Sequence, residues 1–115
     1  MTKTEPEIFD KAAALALVDN DEGLLSILID SFLNENKFEK PVLEKLIAEE
    51  NMSEAASYVH ATKGAARQLC MEKLKTSGQA LEDVLRGKSE GDIPALTEKM
   101  LSDYEEAIKV LQELA

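Results

Sequence analysis

The residues that decide the fold stand at positions 60 to 69: His60-Ala-Thr-Lys63-Gly64-Ala-Ala-Arg67-Gln68-Leu69. His60 is the only histidine in 115 residues. Lys63 and Gly64 follow it within one turn of a helix, so a helical segment puts them on the surface beside the imidazole. This cluster is therefore the candidate functional site.

The spacing of apolar residues places the cluster on one flank of its predicted helix. At about 100° per residue, Ala55, Val59 and Ala66 fall close to one line, which is the predicted core stripe. His60 lies about 100° from that line and Lys63 about 40°. We expect the stem of Lys63 to follow the core edge while its ammonium reaches out toward His60.

The rest of the flank defines a limited chemistry. Gly64 and Arg67 share it, and Ala61 and Gln68 lie further round on the open face. An exposed imidazole is largely neutral at pH 7, so one ring nitrogen can act as a nucleophile and accept a phosphoryl group. Lys63 would counter the added charge, with Arg67 as a candidate second cation. Gly64 would let a partner come close.

Composition indicates one all-helical domain over residues 1–115. The chain has the size of a single domain at 12.7 kDa, and 44% hydrophobic with 31% charged residues is typical of a folded protein. Apolar residues recur at intervals of three and four, and no segment alternates for long enough to predict a strand.

Charge and cysteine usage exclude several classes of function. A net charge of −10 would repel nucleic acid and anionic membrane surfaces, so we expect a protein partner. The N-terminus has no apolar signal segment, so we expect that the chain is neither exported nor membrane-spanning. The single cysteine, Cys70, excludes an internal disulfide, and with one histidine it excludes a zinc site. The cytoplasm fits best, and the initial Met1 without a terminal linker favours a free-standing protein over a module of a hybrid kinase.

Breaks in the apolar periodicity predict six helices, near residues 7–18, 21–37, 40–50, 53–69, 72–86 and 93–114. The two segments that flank Pro41 could also form one kinked helix. Ser53 and Asp92 are predicted N-caps. Gly78 falls in the apolar seam of its helix, which predicts close approach of a neighbouring helix, since a mid-helix glycine costs about 1 kcal/mol relative to alanine.

The cluster begins a longer pattern that runs from His60 to Glu82. It consists of His60-x-x-Lys63-Gly64 and small residues, then Leu69, Leu74 and Leu81-Glu82. This pattern resembles the signature of histidine-containing phosphotransfer (Hpt) domains, the relay modules of multistep two-component signalling. The resemblance covers nearly the whole chain. It implies an all-α fold, an antiparallel four-helix bundle with an additional short N-terminal helix.

The same resemblance implies a phosphocarrier rather than an enzyme. His60 would accept a phosphoryl group from the aspartyl phosphate of one receiver domain and pass it to another, Lys63 would steady that group, and Gly64 would admit the receiver. The implied partners are response-regulator receiver domains, a hybrid sensor histidine kinase, or both, and we expect a monomer. No acidic cluster or phosphate loop accompanies His60, so the chain needs no cofactor of its own, and the aspartate and Mg²⁺ are expected on the receiver.

One position departs from the family pattern. Cys70 stands ten residues after His60, where family members commonly have glycine at the turn that ends the helix. Because cysteine takes a positive φ only with strain, we expect either a different local turn or a helix that runs on before it bends.

Partner docking and the competing functions complete the predictions. Phe9, Leu17, Leu24 and Leu28 could form an apolar docking patch beside His60, or they could fill the bundle core.

The alternative function is a helical adaptor that binds a signalling protein without phosphorylation. A di-iron bundle is excluded because it needs paired Glu-x-x-His motifs, and position 57 is serine.

Overall fold

The computed structural model describes residues 8–114, and within that range it contains six helices and no strand. The helices are α1 (Lys11–Leu17), α2 (Glu22–Glu35), α3 (Lys40–Ala48), α4 (Met52–Gln68), α5 (Glu72–Leu85) and α6 (Ile93–Leu114). The all-α prediction is confirmed. Several predicted boundaries move by a few residues, for reasons given by the caps.

The first helix begins later than the predicted residue 7, which itself lies outside the described range. The side chain of Asp10 accepts a hydrogen bond from the amide of Ala13 at 3.0 Å, so Asp10 is the N-cap and residues 8–10 precede the helix. The amide of Asp10 also donates to the carbonyl of Cys70 at 3.1 Å. This bond fixes the start of α1 beside the turn that follows α4.

Two separate helices, and not one kinked helix, flank the segment 36–39. Asp21 caps α2 through the amide of Leu24, and α2 ends at residue 35 instead of 37. The hydroxyl of Tyr104 donates to the carbonyl of Asn36 at 2.9 Å, and the hydroxyl of Tyr58 accepts from the amide of Glu39 at 2.8 Å. These bonds satisfy backbone groups that the break exposes.

An aromatic cluster seals that break from inside. Phe38 stacks on Tyr58 with ring centroids 5.7 Å apart, and Phe32 and Phe38 each lie 6.0 Å from the ring of Tyr104. The cluster ties α2 and the segment 36–39 to α4 and α6. Such tilted and offset ring pairs are favoured geometries that add to the burial of large apolar surfaces.

The predicted end of α3 and the predicted N-cap of α4 both differ from the structure. α3 ends at residue 48, two residues earlier than predicted, and Glu50 adopts a left-handed φ of 61° after it. Asn51 holds the N-cap position of α4, so Ser53 lies inside the helix and is not the cap. The predicted Asp92 cap is confirmed, because its side chain accepts from the amide of Ala95 at 3.1 Å.

The long helices pack antiparallel. The contact pairs 60/82 and 63/79 run in opposite directions along α4 and α5, and Gly78 of α5 faces Met100 of α6 while Lys73 pairs with Glu106. Phe32 contacts Tyr104 and Lys40 pairs with Glu98, so α2 and α3 follow one another along α6. The bundle therefore has four sides: α2 with α3, α4, α5 and α6, and α1 is the additional short helix.

Gly78 confirms the predicted close approach. An added Cβ at this position would lie 3.2 Å from Cβ of Lys63 and 3.2 Å from Cε of Met100. The bare backbone of α5 therefore lets α4 and α6 approach it closely. No described helix combines the length and the apolar character that crossing a membrane requires.

Candidate functional site

His60 projects from the middle of α4 toward solvent, with 55% of its side chain exposed. Its Nδ1 atom lies 3.2 Å from Oε1 and 3.1 Å from Oε2 of Glu82 on α5. The carboxylate can only accept, so the hydrogen-bond network assigns the ring proton to Nδ1. Nε2 then keeps its lone pair and is the nitrogen available to a partner.

Glu82 is the centre of the site, with only 7% of its side chain exposed. Besides His60 it binds Nζ of Lys63 at 2.9 Å through Oε1 and Nε of Arg86 at 2.7 Å through Oε2. Burial alone would raise the pKa of Glu82, but the hydrogen bonds from Lys63, Arg86 and His60 outweigh it and lower the pKa from 4.5 to about 2. The carboxylate is therefore ionised at neutral pH.

Lys63 lies at the core edge, as predicted, but its ammonium does not reach out to solvent. Only 11% of the side chain is exposed, and Nζ binds Oε1 of Gln79 at 2.9 Å as well as Glu82. The prediction of an outward ammonium was wrong because α5 supplies two acceptors, and Gly78 lets the lysine stem lie flat against that helix. Gln79 is in turn held by Asp83, which accepts from its Nε2 at 2.8 Å.

The surface beside the imidazole is open. Ala61 and Gln68 are exposed, as the helical geometry predicts. Gly64 is half-buried, yet an added Cβ would meet nothing within 4 Å. The glycine therefore has no packing role inside the described chain, and its effect is to leave space outside it.

Among residues 8–114 no group of three or more His, Cys, Asp and Glu side chains is placed to hold a metal ion. Cys70 is free and half-buried, and burial together with Asp10 and Glu72 raises the pKa of its thiol. The arrangement around His60 offers one accessible imidazole nitrogen with two cations, Lys63 and Arg86, held nearby.

A comparison with protein families agrees with this geometry. The family model described as the Hpt domain matches residues 27–114, a range that contains His60, Lys63 and Glu82. The chain belongs to the Hpt family. Hpt domains take part in phosphorelays as phosphocarriers and not as catalysts. No curated protein and no solved structure matches the chain.

In this Hpt chain a second arginine, Arg86, lies closer to the imidazole than the predicted second cation. Arg67, the predicted one, is exposed on α4 seven residues beyond His60, or about 10 Å along the helix axis. Arg86 lies nearer, because its Nε shares the Oε2 atom of Glu82 with Nδ1 of His60. Sequence reasoning missed Arg86, Gln79 and the role of Glu82, although Leu81-Glu82 belonged to the pattern.

The predicted docking residues divide between surface and core. Leu24 is exposed at 42%, whereas Phe9 and Leu28 are half-buried and pack against the core. The most exposed large apolar side chains are Leu17 at 65% and Ile27 at 64%. Ile27 was not predicted, because apolar periodicity alone does not separate the outer face of α2 from its inner one.

The turn at Cys70 is retained, contrary to expectation. Cys70 adopts a φ of 56°, its amide donates to the carbonyl of Arg67, and the amide of Met71 donates to that of Ala66. This is the Schellman arrangement that glycine usually provides at a helix C-terminus. The substitution therefore changes the strain of the turn and leaves its geometry in place.

Proposed function

We propose that this Hpt chain is a phosphocarrier in which Nε2 of His60 accepts a phosphoryl group from a receiver-domain aspartyl phosphate and passes it to another receiver. The observation that carries the proposal is the bond from His60 Nδ1 to Glu82, which turns the lone pair of Nε2 toward solvent. The nucleophile is thus exposed, while the groups that orient it are buried.

The transfer step balances without a base from this chain. The Nε2 lone pair forms a bond to phosphorus as the P–O bond of the acyl phosphate breaks, and the receiver's aspartate leaves as a carboxylate. The imidazole becomes a phosphorylated imidazolium that keeps its Nδ1 proton, and the ionised Glu82 faces that positive ring. Return transfer reverses these bonds.

Lys63 and Arg86 are the proposed sources of positive charge. Both are anchored to Glu82, and a lysine ammonium or an arginine guanidinium binds phosphate oxygens well. Arg86 is bound through Nε, so its two terminal nitrogens remain available to the new group. Arg67 is proposed in a lesser role, at the margin of the docking face.

The receiver is proposed to supply the remaining parts of the reaction. Its aspartate and Mg²⁺ would complete the transfer, so the chain itself needs no cofactor. Docking is proposed over Gly64, Ala61 and Gln68, extending to the exposed apolar side chains of α1 and α2. The bond from Asp10 to Cys70 supports this extension, because it places the start of α1 beside the end of α4 that carries Gln68. The cytoplasmic location and monomeric state remain predictions.

The function is tested by incubating the chain with phosphorylated receivers and Mg²⁺. We expect an acid-labile, base-stable adduct in the wild type and none in His60→Gln, with ¹⁵N NMR placing the phosphorus on Nε2. His60 is more than half exposed, so His60→Gln should fold normally. Absence of an adduct with several receivers that nevertheless bind would favour the adaptor function, and a large fall in melting temperature for His60→Gln would indicate a structural role.

The docking surface is tested with a matched pair of substitutions. Leu24 and Val42 are exposed to similar degrees, 42% and 40%, on α2 and α3. We expect Leu24→Asp to weaken receiver binding by about tenfold, since one buried apolar side chain contributes roughly 1.5 kcal/mol or more, while Val42→Asp leaves binding unchanged. Equal effects of the two would remove the α2 surface from the proposal.

A further inference from the structure

The ammonium of Lys63 has two acceptors on α5 before any phosphoryl group is present. Nζ lies 2.9 Å from Oε1 of Glu82 and 2.9 Å from Oε1 of Gln79, and the side chain is almost fully buried. An ammonium has three donors, so two of the three are already used. Lys63 is held against α5 and does not point freely toward His60.

Gln79 is oriented for this contact by a third residue. Its Nε2 donates to Oδ1 of Asp83 at 2.8 Å, one turn further along α5. Asp83 can only accept, so the carboxamide nitrogen is directed to it and the carboxamide oxygen faces Lys63. Gln79 itself is exposed on the helix surface, where its loss should not disturb the core.

A phosphoryl group on Nε2 must compete for the same ammonium. Nδ1 faces Glu82, and Nε2 lies on the opposite side of the ring, away from α5. The two contacts fix Nζ at α5, on the side of the ring that Nδ1 faces, so we expect Lys63 to give up at least one of them when it brings a donor to oxygens bound at Nε2. Glu82 also binds His60 and Arg86, so a substitution of Glu82 would change three contacts at once. Gln79 binds Lys63 and Asp83, so a substitution of Gln79 changes the hold on Lys63 without touching His60 or Arg86.

We propose that Gln79 is a positioning residue that retains Lys63 at α5 and thereby shortens the lifetime of phosphorylated His60. The proposal rests on the proposed function, since it concerns the stability of the phosphoryl group at the same site. A retained lysine leaves the phosphoryl group less well neutralised and easier to remove. Gln79 would tune the chain toward donation.

The experiment loads His60 without a receiver. Phosphoramidate, a small phosphoryl donor, transfers its group to an imidazole nitrogen with loss of ammonia, and His60 is the only histidine in the chain. Intact mass at neutral pH counts the phosphoryl groups and follows their hydrolysis. The variants are Gln79→Leu, which keeps the size without the acceptor, and Gln79→Glu, which strengthens it.

We expect Gln79→Leu to lengthen the half-life of phosphorylated His60 by about tenfold, comparable to the lower end of what one hydrogen bond to a charged group contributes. Gln79→Glu should shorten it. In a Lys63→Met background both changes should have little effect, because the group that Gln79 retains is gone. A purely structural residue would shift melting temperature and would not give opposite effects that depend on Lys63.

The outcomes separate the two proposals. An unchanged or shorter half-life for Gln79→Leu, or the same change in the Lys63→Met background, overturns the role of Gln79 and leaves the phosphocarrier function intact. Failure of the wild type to take any phosphoryl group from phosphoramidate, while free imidazole in the same solution does, counts against His60 as the acceptor.

Discussion

The buried carboxylate of Glu82 gives the most quantitative prediction. Its pKa falls from 4.5 to about 2 in the folded chain. Each pKa unit corresponds to about 1.4 kcal/mol of differential interaction, so the ionised network stabilises the fold by about 3 kcal/mol. Because the folded pKa is lowered, this contribution is present above about pH 4.5 and is lost as the pH falls toward 2.

The perturbation is Glu82→Gln, which keeps the shape and removes the charge. We expect the variant to be less stable than the wild type by about 3 kcal/mol at pH 7, and the difference to shrink as the pH falls from 4.5 and to vanish near 2. Urea unfolding followed by circular dichroism at several pH values measures it. Glu98→Gln is the matched control, because Glu98 forms an ion pair with Lys40 in which both side chains are exposed, and it should cost less than Glu82→Gln at pH 7.

Two results would refute the reasoning. A loss for Glu82→Gln that stays constant from pH 7 to pH 2.5 would mean that packing, and not charge, sets the role of this residue. A loss no larger than that of Glu98→Gln at pH 7 would mean that desolvation of the carboxylate cancels its three hydrogen bonds, as happens for some buried ion pairs.

Two further predictions concern glycine and the left-handed turns, and both are checked by thermal melting. Gly64→Ala should raise the free energy of unfolding by about 1 kcal/mol, since the added Cβ contacts no other residue. Gly78→Ala should lower it by about 1 kcal/mol, because Cβ of Lys63 lies 3.2 Å from the added Cβ. Changes of the same sign in the two variants would contradict these helix contacts. Glu50→Gly should stabilise the chain by about 1 kcal/mol, because glycine adopts the positive φ of this exposed position without strain. Cys70→Gly should stabilise it by less, because the variant loses a half-buried side chain. A lower stability of Glu50→Gly than of the wild type would refute strain at that turn.

The sequence predicted the helices well where a boundary is set by local chemistry. Asp92 was identified as a cap because aspartate stands just before the first apolar turn of α6, and the structure confirms its bond to Ala95. The predicted end of α2 moved because distant residues decide it. The end of α2 depends on Tyr58 and Tyr104, which lie 19 or more residues away in the chain and satisfy the backbone of the segment 36–39.

The site divides in the same way. Periodicity within α4 was enough to place His60, Gly64 and Gln68 on an accessible face. It could not place Glu82 or Arg86 beside the imidazole, since that requires the register and rotation of α5 against α4. For the same reason it sent the ammonium of Lys63 outward, when the partners that capture it belong to the other helix.

That register depends on the turn at Cys70. Three residues, 69–71, join α4 to α5, and the left-handed φ of Cys70 lets the amides of Cys70 and Met71 bind the last carbonyls of α4. If the helix ran on by one residue, as cysteine there first suggested, α5 would begin rotated by about 100°. Glu82 would then leave Nδ1 of His60, and Gly78 would no longer lie under Lys63. The strain tolerated at Cys70 is therefore part of what holds the carboxylate behind the imidazole, 22 residues after it in sequence and 3.1 Å from it in space.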